Sequence, residues 1–120
     1  MCSSDLGRVA EVRAAKAEFD AKFRPFMESD EKPINPYRVI GDLIKVLDPK
    51  NSFVTADSGN TRDQLSTVYE AQIPRGHLGW GNVSTLGFSL AGAIGAKLAF
   101  PERQSVCITG DAGKIGRAHV

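Results

Sequence analysis

The chain has 120 residues, 42% hydrophobic and 24% charged, with fifteen Lys and Arg against fourteen Asp and Glu and a formal net charge of +1. These values sit near globular averages and exclude disordered, collagen-like and coiled-coil classes. No stretch approaches the ~20 apolar residues of a membrane span, no signal peptide opens the chain, and the near-neutral charge offers no field for a nucleic acid backbone. The expectation is a cytoplasmic protein with neither nucleic-acid nor membrane partners.

The two ends have an unusual relationship. Met1-Cys-Ser-Ser-Asp-Leu6 can be encoded as GTG TGC TCT TCC GAT CTN, whose reverse complement, NAG ATC GGA AGA GCA CAC, translates with N as A to Lys114-Ile-Gly-Arg-Ala-His119. The shared DNA resembles a common high-throughput sequencing adapter, and its next bases, GTC, supply Val120. Residues 1–6 and 114–120 are therefore expected to be adapter translation, and the natural protein to run from Gly7 to Gly113, cut at both ends. Such segments are left out of fold reasoning. Leaving them out removes Asp5, Lys114 and Arg117 and leaves thirteen charges of each sign. Cys2 and His119 go as well, so one Cys and one His are left and a zinc cluster or Cys/His pair has no basis.

From Val9 to Met27 the apolar residues Val9, Val12, Phe19, Phe23, Phe26 and Met27 recur at helical spacing between charges, which predicts an amphipathic helix that Pro25 kinks or terminates. Glu28 to Pro33 is a polar linker closed by proline, so residues 7–32 are expected to be a helix and linker from a preceding domain and 33–113 the N-terminal part of the next. Asn35 is placed to cap a helix with Pro36 at its first position, running to about Leu47 with Val39, Ile40, Leu43, Ile44 and Leu47 on one face. Asp48 to Asn51 turns the chain, and Ser52 to Ala56 is a buried strand.

A helix is expected over Thr61 to Glu70, with Leu65, Val68 and Tyr69 inward. The glycine-rich segment Pro74 to Asn82 contains a short strand at His77 to Trp80. Thr85 to Phe100 predicts a helix whose small residues, Gly87, Ala91, Gly92, Ala93, Gly95, Ala96 and Ala99, cost intrinsic stability, about 1 kcal/mol for each interior glycine relative to alanine; close packing on a sheet accounts for that choice. Ser105 to Thr109 is a second buried strand. Helices alternating with short apolar strands predict an α/β fold, an incomplete doubly wound parallel sheet preceded by the amphipathic helix.

In such sheets ligands bind beyond the carboxyl ends of the strands. Both strand ends here carry the same chemistry, Asp57-Ser-Gly-Asn60 after the first and Gly110-Asp-Ala-Gly113 after the second. Glycines let the backbone approach an anion, and a helix opening after the turn directs N–H groups at it, which describes a phosphate site. A carboxylate beside phosphate points to Mg²⁺, and Asp111 is the candidate ligand. Taken alone, each turn is equally an ordinary connection, and Asp57, Asn60 and Ser84 equally serve as turn or cap residues. His77 reads as a loop or interface residue, Trp80 and Tyr69 as packing, and Cys107 as a small apolar filler.

The order of motifs carries a resemblance. Phe53-Val-Thr-Ala-Asp-Ser-Gly59, Pro74-Arg-Gly, Gly81-Asn-Val-Ser-Thr-Leu-Gly-Phe-Ser-Leu-Ala-Gly-Ala-Ile-Gly-Ala-Lys97, Pro101-Glu-Arg and Ile108-Thr-Gly-Asp-Ala112 together resemble the carboxyl-terminal, diphosphate-binding domain of thiamine-diphosphate enzymes, and the acetolactate synthase-like group above all. The resemblance covers about Pro33 to Gly113. It implies thiamine diphosphate and Mg²⁺ as cofactors, with Asp111 on the metal and Gly110, Ala112 and Gly113 beside the diphosphate. It implies Gly59, Asn60 and Thr61 on the other side of the diphosphate, although acetolactate synthases usually have Gln-His at the last two positions. Val83, Ser84 and Leu86 fall where the family contacts the aminopyrimidine ring, Leu86 in place of a frequent methionine. Trp80 and Asn82 stand where small residues are more usual, which implies a distinct subgroup.

The same resemblance implies an asparagine completing the metal motif further downstream and an activating glutamate from an amino-terminal domain, neither of which this chain carries. No catalytic residue is therefore assigned. The implied longer enzyme is a homo-oligomer that decarboxylates and joins 2-keto acids. Two other readings stay open: another 2-keto acid decarboxylase or carboligase of the superfamily, and a non-catalytic phosphate-binding module or non-functional gene fragment.

Overall fold

A computed structural model describes residues 3–81 and 83–115. Residues 1–2 and 116–120, where most of the expected adapter translation lies, and Asn82 are outside the described residues. The elements in chain order are α1 (Ser3–Met27), α2 (Pro36–Val46), β1 (Ser52–Ala56), α3 (Asn60–Val68), β2 (His77–Leu78), α4 (Phe88–Ala99), β3 (Gln104–Ile108) and α5 (Asp111–Ile115).

β1 is the central strand, with β2 and β3 on either side and every pairing parallel. Val54 stands opposite His77 on one side and Val106 on the other. The period-two alternation of a strand then divides β1 between two layers. Val54 and Ala56 meet Ile40 of α2 and Leu65 of α3, and Leu47, Val68, Tyr69, Val106 and Ile108 pack around them. Leu65 is fully buried, which stabilises the fold by about 1.5–3 kcal/mol relative to leaving it exposed. On the opposite face Thr55 Oγ1 donates to Ser89 O of α4 at 2.9 Å, and Ser105 Oγ donates to Ala93 O at 2.7 Å. The sheet therefore carries helices on both faces, the doubly wound arrangement expected from the sequence.

The start of α2 follows its sequence signature. Asn35 has an extended backbone and its side chain accepts from Tyr37 N at 3.0 Å, with Pro36 at the first helical position. The linker before it is held by Arg38, whose guanidinium donates to Ser29 O at 2.9 Å, Asp30 at 2.7 Å and Asp42 at 2.7 Å.

Three expectations change. The apolar positions of α1 do not form a buried stripe: Val9, Val12, Phe19 and Phe26 are exposed, and the contacts with α2 lie near the helix end, where Phe23 and Phe26 are 5.3 and 6.1 Å from the Tyr37 ring and Met27 packs on Gly41. Pro25 does not end the helix, which runs on to Met27; a proline this close to the C-terminus removes a single backbone donor. α4 begins at Phe88 rather than Thr85, because Gly87 adopts a left-handed conformation with φ +83° that a helix cannot contain. The small residues of α4 do serve close packing at Ser89, Ala93 and Ala96, all buried, whereas a Cβ at Gly95 would meet open space.

Candidate functional site

β1 lies between β2 and β3, and its end is tied to the end of β3 by Asp57 N, which donates to Ile108 O at 2.9 Å, so the turns after the two strands stand together at the carboxyl edge of the sheet. That edge is where doubly wound sheets hold ligands. Two turns meet there. Gly110 lies beside Thr61, whose Cγ2 would be 3.9 Å from a Cβ added at the glycine, an ordinary van der Waals contact. Thr109 Oγ1 donates to Asp57 Oδ2 at 3.1 Å. The turns that follow β1 and β3, far apart in the chain, thus lie side by side at one rim.

The first turn is built for close approach. Gly59 has φ +100° and ψ −155°, a conformation reserved for glycine, and a Cβ there would meet nothing within 4 Å. Asn60 and Thr61 open α3, and no side chain caps that terminus. Thr61 Oγ1 donates to Asp57 O at 3.1 Å, so its hydroxyl proton is engaged within the turn. Arg62 follows, its guanidinium 5.2 Å above the Trp80 ring, which links α3 to the segment after β2.

In the second turn Gly110 is half-buried and Asp111 and Ala112 are exposed, Asp111 Oδ1 accepting from Ala112 N at 2.8 Å. The turn expected over residues 110–113 is in part the first turn of α5, with Gly113 buried inside it. Among the described residues no group of three or more His, Cys, Asp or Glu could enclose a metal ion. Asp111 is a single carboxylate at a glycine-rich rim, which suits Mg²⁺ shared with phosphate oxygens and water rather than a protein cage.

Val83, Ser84 and Leu86 lie in the connection from β2 to α4. Val83 and Leu86 are 79% and 51% exposed, and Ser84 has φ +53°. The connection is tied to the end of β1 at Gly87, whose N–H lies 2.9 and 2.8 Å from the two carboxylate oxygens of Asp57.

Sequence reasoning missed the role of Asp57. It is fully buried, its Oδ1 accepts from Ser58 N at 2.9 Å, and Gly87 N lies 2.9 and 2.8 Å from its two carboxylate oxygens. The available signal was an acidic residue directly following the apolar strand. His77 opens β2, where the sequence expected a short strand, and stands opposite Val54 of β1; its burial pushes the imidazole pKa below the ordinary 6.5. Cys107 sits in β3 as expected, donating to Ser89 Oγ at 3.2 Å.

The rim matches a known domain. The family model for the thiamine pyrophosphate enzyme, C-terminal TPP binding domain, covers residues 57–116, from Asp57 through both turns. The chain belongs to this family. Over 93 residues it is 38% identical to a probable acetolactate synthase large subunit of Methanococcus aeolicus, a match covering 74% of the chain and 16% of that protein. It is 34% identical over 84 residues to the acetolactate synthase isozyme 3 large subunit of Escherichia coli, covering 70% and 14%. The 2-hydroxyacyl-CoA lyase 1 of Mus musculus matches at 34% identity over 83 residues, covering 66% and 14%. The chain thus spans about one sixth of the length of the curated relatives it matches. Among the described residues no helix is long and apolar enough to cross a membrane.

Proposed function

We propose that this chain supplies the diphosphate-facing part of a thiamine diphosphate and Mg²⁺ site in a longer acetolactate synthase-like enzyme. The observation that supports it is the meeting of the two strand-end turns within a thiamine pyrophosphate enzyme domain. The residues fit the group: the open space at Gly59 admits an anion against the backbone, and α3 presents an uncapped first turn.

In this reading the backbone N–H groups of Asn60 and Thr61, with Gly59, hold one side of the diphosphate. Gly110, Ala112 and Gly113 hold the other. Asp111 takes the metal, whose charge offsets the phosphate oxygens that the backbone N–H groups of the two turns do not neutralise. Val83, Ser84 and Leu86 cover the aminopyrimidine ring. Thiamine diphosphate, when bound, supplies the decarboxylation and carboligation chemistry of 2-keto acids. This chain's part is to bind and orient, and it is inactive by itself. The longer enzyme acts on a small 2-keto acid, is a homo-oligomer and works in the cytoplasm. The likeness to a 2-hydroxyacyl-CoA lyase supports a second reading, a different carboligase or lyase of the same superfamily with the same cofactor residues.

The test is a titration of the ¹⁵N-labelled chain with thiamine diphosphate and Mg²⁺. Amide shifts centred on residues 59–61 and 110–113, at an affinity weaker than micromolar, are expected for part of a site. Shifts elsewhere, or none at millimolar ligand, overturn the reading. Submicromolar affinity contradicts the division of the site between this chain and other parts of a longer enzyme.

A further inference from the structure

Asp57 touches every segment of the proposed site without being placed to touch the cofactor. Its backbone N–H donates to Ile108 O at 2.9 Å, which ties the end of β1 to the end of β3. Its backbone carbonyl accepts from Thr61 Oγ1 at 3.1 Å, which fixes the first turn of α3. Its carboxylate accepts from Ser58 N and Gly87 N, and from Thr109 Oγ1 at 3.1 Å. Gly113 of α5 packs so closely on that carboxylate and on the Thr109 hydroxyl that a side chain there would collide with both.

The burial is the informative part. Asp57 is 0% exposed, and the hydrogen-bond donors described around its carboxylate are two backbone N–H groups and a hydroxyl. A carboxylate withdrawn from water is tolerated only where its oxygens are hydrogen-bonded, and such charge-assisted bonds are stronger than neutral ones, so this carboxylate holds the segments that supply its donors. Both oxygens are engaged by these donors, so Asp57 is not available as a metal ligand, in contrast to the exposed Asp111. The three segments it joins are the turn at residues 58–61, the connection that ends at Gly87, and the turn at residues 109–113. These are the segments assigned above to the two sides of the diphosphate and to the ring.

We propose that Asp57 is the positioning residue of the site, a buried carboxylate that sets the spacing of the two diphosphate turns and anchors the Val83–Leu86 connection to them. The proposal rests on the cofactor reading above. It assigns Thr109 a role through its hydroxyl, and makes diphosphate affinity sensitive to two residues that do not contact the ligand.

The experiment uses the full chain, with inorganic diphosphate and Mg²⁺ as the probe and amide exchange at Gly87 as a readout independent of ligand. Asp57→Asn replaces one accepting oxygen by a donor, and its expected result is faster Gly87 exchange and at least a tenfold loss of diphosphate affinity. Thr109→Val removes only the hydroxyl and keeps the shape, so it serves even where Asp57→Asn fails to fold. A severalfold loss of affinity is expected for Thr109→Val in a chain whose amide spectrum shows it folded, with recovery in Thr109→Ser. No shift on diphosphate addition to the unsubstituted chain overturns the cofactor reading and the positioning role with it. Binding that persists at unchanged affinity in Thr109→Val, or in a folded Asp57→Asn chain, leaves the cofactor reading standing and overturns the positioning role.

Discussion

Gly113, in the first turns of α5, lies so close to the buried carboxylate of Asp57 that no side chain fits between them. The neighbours that block it are the Asp57 carboxylate and the Thr109 hydroxyl, both already hydrogen-bonded to each other. Neither can swing aside without losing that bond. Gly113→Ala is therefore expected to destabilise the chain by about 1–3 kcal/mol through overpacking. Urea denaturation checks this, and a midpoint equal to that of the unsubstituted chain contradicts the close approach.

Gly59 is the opposite case. A Cβ there meets open space, so any cost of Gly59→Ala arises from the backbone conformation at φ +100° rather than from a clash. A loss of about 1–3 kcal/mol is expected from forcing alanine into that region. The added methyl also occupies the space assigned to the diphosphate, so anion affinity should fall further than stability does. Comparing the denaturation midpoint with the diphosphate titration separates the two effects.

Asn35 closes the N-terminus of α2 through a single side-chain bond to Tyr37 N. Asn35→Ala removes the acceptor and leaves that N–H to solvent, with an expected cost of about 1 kcal/mol, whereas Asn35→Ser retains an acceptor without setting a second carboxylate beside Glu31, to which the Asn35 amide donates. Thermal melting of the two variants gives the comparison.

His77 makes the stability of the chain depend on pH. Burial pushes its pKa below the ordinary 6.5. Below 6.5 the unfolded chain therefore binds protons that the folded chain refuses, so this contribution is complete above 6.5 and is lost as pH falls toward the folded value. The melting temperature should drop between pH ~7.5 and ~5.5, and the drop should shrink in His77→Gln. The Asp42 contribution lies at lower pH, because Lys45 and Arg38 hold its carboxyl below the ordinary 3.8. An equal drop in both proteins contradicts the assignment to His77.

Local chemistry made much of this fold legible in the sequence. Asn35-Pro36 marks a helix start by cap and fixed φ, and Ser52 to Ala56 reads as a strand with the observed limits. Glycine, small residues and a carboxylate recur at both strand ends, and the structure brings those two turns together. What stayed hidden is what depends on distant partners. Asp57 pairs with Gly87 and Thr109, 30 and 52 residues away, so its own neighbourhood shows only a turn acid. The apolar spacing of α1 predicts a buried face, yet burial needs an opposing surface, and α2 reaches only its last turns. The delayed start of α4 follows from the left-handed backbone of Gly87.

The central claim is that residues 59–61 and 110–113 form one site around diphosphate and metal. Paramagnetic broadening by Mn²⁺ in place of Mg²⁺ tests it most directly, measured on the ¹⁵N-labelled chain with thiamine diphosphate present. The account predicts that amides of both turns broaden together, that the effect requires the diphosphate, and that Asp111→Asn abolishes it. Broadening confined to one turn, or centred on surface carboxylates such as Asp42, contradicts it.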